Sequence, residues 1–403
     1  MMSRIIIKKS HLYKLEIPAI ISFFMFFCIV QIAYFDTPVY TLLKYIIVAI
    51  TLVYVFKNVR ILITTGMKIM IPVAGIGIGI IVSTNLNFDA TYNIRGAIYY
   101  AALIITMFAF LHILGVKGKL YNFYRAGIMY LTVVLIINDL LMVINPERFY
   151  GVYGTMIGTF ILGNKFNVAY AHLLLAILNG LKKKENQVKR YNICLIVAAL
   201  IALYVQCKTV FLACVLLIIL TIVPQTIKNA LAKPTVFAVA FIASALIIGI
   251  LTVIISWKPI TYLIVEVLHK DLTLTGRLNI YRYLLGIISV KKWFGYGYMN
   301  TTMLDKTIWY ANAQNGLWDF ILNYGLVTAV FLFIMCLVVF VNANRDYKKV
   351  PEKINVAILI AVVYSYLFMG IVEICFSIQF FLYFALLNGN LANDTRKEQK
   401  KED

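Results

Sequence analysis

Residues 317–341 have the sequence LWDFILNYGLVTAVFLFIMCLVVFV, a mostly apolar run that is long enough to cross a lipid bilayer. A spanning helix needs about 20 such residues, and similar runs recur along the chain. The pattern predicts an all-α polytopic integral membrane protein with about 12 transmembrane helices. The predicted spans lie near residues 17–35, 39–56, 69–84, 96–115, 126–144, 166–181, 191–206, 209–223, 235–256, 317–341, 355–371 and 375–390.

The composition supports this interpretation. The 403 residues are 62% hydrophobic and only 13% charged, whereas soluble domains carry roughly 25% charged residues. The six cysteines are scattered through apolar segments without metal-ligand spacing, which favours buried free thiols over a zinc site or a disulfide framework.

The distribution of basic residues predicts the orientation. With the N-terminus in the cytoplasm, most of the 37 lysines and arginines fall in short loops on the cytoplasmic side. We therefore predict a protein of the cytoplasmic membrane with both termini inside. The net charge of +20 then reflects this orientation and contact with anionic membrane lipids, and no nucleic-acid partner is expected.

One long connection interrupts the series of spans. The predicted units are an N-terminal bundle of about nine spans, a large extracytoplasmic loop, the C-terminal spans and a charged cytoplasmic tail, at residues 1–256, 257–316, 317–391 and 392–403. Loops of this length are uncommon and tend to carry function. Two short amphipathic helices are predicted in the loop, at PITYLIVEVLHK (259–270) and RLNIYRYLLGIISVKK (277–292).

Several cations lie on the predicted outer side, against the usual bias: Arg95, Lys165, Lys208, Arg277 and Arg282. Either they reach lipid phosphates, or they bind an anionic substrate. Arg277 is placed in the first turn of a helix, where a cation meets the positive end of the helix dipole. A phosphate bound there would interact favourably with both the guanidinium of Arg277 and the N-terminus of the helix.

Other polar and aromatic residues allow two interpretations each. Asp139 and His172 lie within predicted spans, where a helix-to-helix hydrogen bond or a functional role would explain them. The aromatic residues near the loop either form an interfacial belt or stack on sugar rings; they are Trp293, Tyr296, Tyr298, Trp309, Tyr310 and Trp318.

Four stretches together carry a resemblance to a known family: GTFILGNKFNVAYAHLLL (158–175), QCKTVFLACVLLIIL (206–220), TGRLNIYRYLLGIISVKKWFGYGY (275–298) and NAQNGLWDFILNYGLVTAVFLF (312–333). With these four stretches in this order, the chain resembles the O-antigen polymerase and O-antigen ligase family. The family includes Wzy-type capsular polysaccharide polymerases. The matching positions are Asn164, Asn167, Ala169, Lys208, Gly276, Arg277, Gly295, Gly297, Asn315, either Leu317 or Trp318, and Gly325.

One position departs from the family pattern. Gln314 stands where the family usually has a histidine. Glutamine cannot take up a proton, so the resemblance leaves the general base open, and Gln314 is expected at most to position the substrate.

The resemblance implies a polysaccharide polymerase that joins polyprenyl-diphosphate-linked oligosaccharides at the outer face of the membrane, without a metal or other cofactor. It implies catalytic roles for Arg277, Arg282 and Gln314, and the weaker base candidates are Glu266, Glu373, His269 and Asp305. The expected substrate-binding residues are Arg95, Lys165, Lys208, Asn164, Asn167, Asn315, Tyr281 and Trp318.

Two alternatives stay open at this point. An O-antigen ligase shares the same motifs, and a flippase would handle the same lipid-linked sugars. Transporters usually show internal repeats and interrupted spans; the glycine-rich IPVAGIGIGI (71–80) has no evident counterpart in the other half. For a polymerase, a flippase and a chain-length regulator of the same pathway are the expected protein partners.

Overall fold

The computed structural model describes residues 16–32, 37–87, 93–144, 161–182, 186–254, 257–262, 265–266, 277–299, 312–349 and 354–402. Every regular element within these ranges is a helix. The fold is therefore all-α, as the apolar pattern predicted.

The first half of the described chain forms eight main helices. They are α1 (Ile17–Ile29), α2 (Pro38–Lys57), α3 (Met67–Asn85), α4 (Ile94–Val116), α5 (Leu120–Ile144), α6 (Lys165–Leu181), α7 (Gln187–Tyr204) and α8 (Lys208–Ile222). A short helical turn, Val59–Ile61, and a wider turn, Leu62–Gly66, lead directly into α3.

The second half adds seven helices of uneven length. They are α9 (Gln225–Leu231), α10 (Pro234–Ile254), α11 (Lys258–Tyr262), α12 (Arg277–Val290), α13 (Gly316–Lys349), α14 (Ile354–Gly370) and α15 (Ile378–Glu402).

Each of the twelve predicted apolar segments overlaps one of these helices. Among the described residues, six helices are long and apolar enough to cross a membrane: Pro38–Lys57, Val59–Asn85, Ile94–Val116, Leu120–Ile144, Gln187–Tyr204 and Gly316–Arg345. A seventh crossing forms if α9 and the start of α10, bent by 69°, count as one broken span. The total of twelve spans stays a prediction.

The outward-facing side chains are those of a protein surrounded by lipid. Along α2, Val39 is 76% exposed and Phe56 is 64% exposed, and Leu42, Ile46, Ile50 and Val53 between them also face outward. Contiguous apolar surface of this kind is rare on soluble monomers and marks contact with a membrane or a partner.

Helix α4 lies at the centre of the bundle and packs against α2, α3 and α15. The glycine-rich run 71–80 lies inside a continuous α3 and allows close packing. A Cβ at Gly79 would collide with Thr328 of α13, and a Cβ at Gly77 would collide with Ile105 of α4. These glycines therefore let α3 approach both neighbours, and they do not interrupt a span.

The predicted loop is described only in part. The second amphipathic helix is confirmed as α12, with Ile280, Leu284 and Ile288 buried and Arg282 exposed. The start of the first is helical as α11, and residues 263–264 and 267–270 of the predicted helix lie outside the described ranges. The predicted charged tail continues α15 as helix to Glu402.

Candidate functional site

Helix α13 is broken at Gly325, whose backbone adopts φ 76° and ψ 174°. The break leaves backbone groups without intrahelical partners, and the segment 292–297 supplies new ones. The N–H groups of Tyr296 and Gly297 donate to the carbonyls of Leu322 and Asn323, at 2.9 and 2.8 Å. In return, the N–H groups of residues 326 and 327 donate to the carbonyls of residues 292 and 293, at 2.8 and 3.2 Å.

The predicted glycine turn is what makes this exchange possible. Gly295 and Gly297 both have positive φ, at 66° and 96°, where side chains other than glycine are disfavoured. A Cβ at Gly295 would lie 2.6 Å from the backbone of Asn323. The Gly-Tyr-Gly turn thus lies directly against the broken helix, a role that its sequence alone did not show.

The end of α3 fixes the same turn from the other side. Ser83 donates to the Asn323 carbonyl at 2.7 Å, and Thr84 accepts from the Tyr298 N–H at 2.9 Å. Asn87 donates to the Gly295 carbonyl at 3.0 Å and accepts from the Lys291 ammonium group. Lys291 is therefore held by a protein side chain.

A cavity of about 350 Å³ opens beside this broken helix. Six aromatic rings line it: Tyr99, Tyr100, Tyr298, Phe320, Tyr324 and Phe376. Polar side chains share the lining, namely Gln31, Asn312, Asp319, Asn323 and Ser377. We call this end of the bundle the cavity end. Every segment that lines the cavity comes from the side that the sequence predicts to be extracytoplasmic.

Asp319 is the one acidic residue that lines the cavity within the described chain. It lies in the first turn of α13, where the helix dipole favours a carboxylate. Its Oδ1 accepts from the Ala313 N–H at 3.1 Å, and its Oδ2 accepts from the Asn323 amide at 3.1 Å. No lysine or arginine of the described residues lies within ion-pair distance of it.

Gln314, which was expected to position the substrate, does not line the cavity. Its backbone N–H and its side-chain amide both donate to Oδ1 of Asn312, at 3.0 and 2.8 Å. Tyr281 of α12 donates its hydroxyl to the Gln314 carbonyl at 2.7 Å. Gln314 and Tyr281 therefore hold Asn312, and it is Asn312 that reaches the cavity.

The predicted cations are dispersed around this end. Arg95 is exposed in the first turn of α4, one turn before the cavity residue Tyr99 and on the same side of that helix. Arg282 and Glu266 are exposed away from the described lining. Helix α12 begins at Arg277, whose side chain lies outside what the structure describes, as do His269 and Asp305.

A second group of predicted residues gathers at the starts of α6 and α8. Lys165 and Lys208 are the first residues of these two helices. Thr209, next to Lys208, donates its hydroxyl to Glu373 at 3.2 Å. Asn164 caps α6 by accepting from the Asn167 N–H at 3.0 Å, so these two asparagines have local structural partners.

Two further predicted binding residues are engaged in the fold. Asn315 is fully buried and caps α13, accepting from the N–H groups of Leu317 and Trp318 at 3.1 and 3.0 Å. Its amide also donates to the carbonyls of Ser244 and Ile371. Trp318 donates its ring N–H to the Ala245 carbonyl at 3.1 Å. Neither lines the cavity.

The embedded pair Asp139 and His172 forms the helix-to-helix contact that one interpretation predicted. His172 Nε2 lies 3.0 Å from Asp139 Oδ2, and its Nδ1 lies 2.9 Å from the Val168 carbonyl. Because a carbonyl only accepts, His172 donates from Nδ1 to the Val168 carbonyl. This pair joins α5 to α6 and does not line the cavity.

Reasoning from the sequence missed most of the cavity lining, including Asp319, Asn312 and Asn323. One signal was available for Asp319, because an acid inside an apolar span is costly and marks a functional position. The spacing of Asp319 and Asn323, four residues apart on one helical face, also predicts contact.

No protein-family model matches the chain, and no curated protein matches it in sequence.

Proposed function

We propose that the protein is a polysaccharide polymerase that joins undecaprenyl-diphosphate-linked oligosaccharide repeat units at the outer face of the cytoplasmic membrane. In this proposal the bundle crosses the membrane twelve times, both termini are cytoplasmic, and the cavity end faces outward. The products would be capsule, exopolysaccharide or O-antigen chains.

One observation carries the proposal: the lining of the cavity has the chemistry of a carbohydrate site. Six aromatic rings, three amide side chains and one carboxylate line about 350 Å³. This volume is within the usual range of small-molecule sites. Sugar rings present C–H faces that suit aromatic planes and hydroxyls that suit Asn, Gln and Asp. A lipid pocket would not need four such polar groups.

The cations around the cavity end suit the diphosphate of the donor. A diphosphate that leaves gains negative charge in the transition state, and fixed cationic donors stabilise it. Arg95 is the best placed of the described cations, because it stands one turn outside Tyr99 at the start of α4. Lys165 and Lys208 begin neighbouring helices at the same end and favour the approach of an anionic carrier lipid.

A flippase for the same lipid-linked sugars is a second candidate, because α13 is discontinuous next to the cavity. Transporter sites are typically built from such interrupted helices. The break at Gly325 lies nine residues into α13, roughly 14 Å from its start at about 1.5 Å per residue. Its backbone groups are, however, paired by residues 292–297, so they are not available for a substrate.

Proteoliposomes that contain the purified protein test the proposal. They are supplied with the lipid-linked oligosaccharides that accumulate in cells from which the gene has been deleted. A polymerase produces a ladder of longer glycans from this single substrate. A flippase produces no ladder, but moves the saccharide to the opposite leaflet, where an impermeant glycosidase no longer cuts it. A ligase transfers the saccharide only when a different acceptor is added.

Arg95→Ala sharpens the same assay. Removal of a fully enclosed donor lowers an enzyme's rate by about 100- to 1000-fold. Because Arg95 is exposed and screened by salt, we expect a smaller effect, a fall of roughly tenfold or more in the rate of chain elongation. Arg60→Ala is the matched control, because Arg60 is also an exposed arginine but lies at the opposite end of the bundle. Equal rates for the two variants would remove Arg95 from the proposed site.

A further inference from the structure

We propose that the cavity is the subsite for the acceptor sugar, that it takes a sugar ring without a carboxylate, and that Asp319 accepts the proton of the attacking hydroxyl. This assignment rests on the proposed function and goes beyond it, because the family resemblance left the base open and Asp319 was not among the predicted site residues.

The charge of the cavity lining indicates that the acceptor, and not the diphosphate of the donor, binds there. Among the described residues that line the cavity, Asp319 is the one ionisable group of either sign apart from Cys28 and the tyrosines. A diphosphate next to this carboxylate, with no cation in the lining to compensate, would be repelled in a water-poor site. A uronic acid ring would be repelled for the same reason. A neutral or amino sugar meets amides, aromatic faces and one acceptor, which it can bind.

The hydrogen bonds of Asp319 leave it able to act as a base. The Ala313 N–H occupies one position on Oδ1, and the Asn323 amide occupies one position on Oδ2. A carboxylate offers about four acceptor positions, so both oxygens keep capacity on the cavity side. The two donors also fix the orientation of the carboxylate, which is the usual requirement for proton transfer in an enzyme.

Three other acids of the described chain are engaged elsewhere. Asp139 contacts His172, Glu373 accepts from Thr209, and Glu16 forms an ion pair with Lys119. Asp319 is different because its two partners are neutral amide groups and because it faces the cavity. This contrast, together with the inability of Gln314 to take up a proton, identifies Asp319 as the base.

Asn312 completes the subsite. Its Oδ1 accepts both N–H groups of Gln314, so its NH₂ group is turned away from Gln314. That NH₂ group has no partner among the described residues and borders the cavity, where it can donate to a sugar hydroxyl. Gln314 therefore acts through Asn312, which gives a physical reason for an amide at the position where the family has histidine.

The chemical step balances with these groups alone. The acceptor hydroxyl gives its proton to Asp319 as its oxygen bonds to the anomeric carbon of the donor sugar. The bond from that carbon to the diphosphate oxygen breaks, and its electron pair leaves with the lipid diphosphate. Asp319 returns the proton to water when the product moves on. One displacement inverts the configuration at the anomeric carbon, so the new linkage has the opposite anomeric form to the donor.

Asp319→Asn in the proteoliposome assay tests the role of the base. We expect kcat to fall by about 100- to 10,000-fold, the usual share of a general base, with the KM for the lipid-linked donor unchanged. Asp319→Glu should recover part of the rate. Asp139→Asn is the matched control, because Asp139 is also an acid within the bundle but contacts His172 and does not line the cavity. This variant should retain the wild-type kcat.

The outcomes separate the two proposals. If the wild-type protein elongates chains and Asp319→Asn keeps its rate, or if the anomeric configuration is retained, Asp319 is not the base and the polymerase proposal survives. If the wild-type protein makes no polymer from lipid-linked saccharides, the proposed function fails and this inference fails with it.

A labelling experiment tests the subsite without relying on the Asp319 variants. Ser377 is exposed at the rim of the cavity, and Ser377→Cys places a thiol there; the wild-type protein is the background control. An impermeant maleimide should label the variant in intact cells, and chitobiose or cellobiose should slow the labelling while digalacturonic acid does not. Equal protection by the acidic sugar, or none by the neutral ones, would overturn the acceptor assignment; labelling only after lysis would overturn the proposed orientation.

Discussion

The two ends of the bundle differ in how their polar side chains are used. At the end opposite the cavity, which we call the paired end, polar side chains from distant helices bind one another. The pairs are Glu16 with Lys119, Asn58 with Lys117, His112 with Asn388, Gln187 with Asn355, and Tyr124 with Asn390. At the cavity end, Asp319 and Asn312 are held by backbone or neighbouring amide groups and still border open space.

This difference separates stability from function. A buried polar group whose partner is another side chain stabilises one arrangement of helices, because losing either partner leaves the other unsatisfied. A polar group that keeps hydrogen-bonding capacity towards a cavity adds little to the folded state and is available to a ligand. The paired end therefore fixes the arrangement of the helices, and the cavity end offers a substrate the most unused hydrogen-bonding groups.

Gly325→Ala should have the largest effect on stability and activity, because this glycine serves both the fold and the cavity. Its backbone conformation is almost exclusive to glycine, and a Cβ there would overlap the Trp293 carbonyl. We expect the free energy of unfolding to fall by about 3 kcal/mol or more, measured by thermal unfolding in detergent. Polymer formation should be lost as well, since Tyr298 follows the displaced turn into the cavity lining.

Gly286→Ala is the matched control for this substitution. Gly286 lies on the exposed face of α12, and a Cβ there would meet nothing within 4 Å. Alanine is the better helix former, so the variant should keep or gain stability by up to about 1 kcal/mol. Wild-type stability and activity in Gly325→Ala would show that the broken helix and its turn can be rebuilt without glycine.

A pair of asparagine substitutions tests the contrast between the two ends directly. Asn390 is buried and donates to the Tyr124 hydroxyl at 2.7 Å, so Asn390→Ala should lower the free energy of unfolding by about 1–3 kcal/mol. Its activity per folded molecule should not change. Asn312→Ala should change stability by no more than about 0.5 kcal/mol and lower the rate of chain elongation. Equal losses of stability in both variants would contradict the division between the ends.

The helices could be predicted from the sequence because hydropathy is a local property. Each apolar segment is helical, and α12 carries the predicted buried stripe with Arg282 on the exposed side. The extent of the last helix was not predicted, because α15 continues through the predicted tail to Glu402.

The site could be predicted only in outline. The motif around residues 312–325 and the glycine turn were singled out by their residue types, and the structure brings them into contact at the cavity end. The pairing of residues 292–297 with the break at Gly325 could not be predicted, because it depends on carbonyls some thirty residues away in the chain. The cavity is equally non-local, with walls from α4, α13 and the turn before α15.

The distinction between a capping asparagine and a binding asparagine also needs coordinates. Asn312 and Asn315 lie three residues apart in one motif, and both are amides. Asn315 is fully buried with both amide atoms satisfied inside the protein, whereas Asn312 borders the cavity. The resemblance pointed to Asn315; the geometry favours Asn312.

The smallest expected effect concerns the ion pair of the paired end. Glu16 Oε2 lies 2.8 Å from the Lys119 ammonium group, and both side chains are a little under half exposed. The hydrogen bond and charge of Lys119 hold the pKa of Glu16 below its usual 4.5. A carboxylate with a lowered pKa in the folded state stabilises that state above pH 4.5, and this contribution disappears as the pH falls through the folded-state pKa. The wild-type protein should therefore be slightly more stable than Glu16→Gln at neutral pH, and the difference should vanish in acid.

Thermal unfolding of both proteins across this pH range measures the difference in stability. Taking the difference cancels the titration of every other carboxylate. Since exposed pairs contribute little, a large difference at neutral pH would show that this contact fixes the bundle more firmly than its exposure implies, and no difference at any pH would remove Glu16 from the set of pairs that define the paired end.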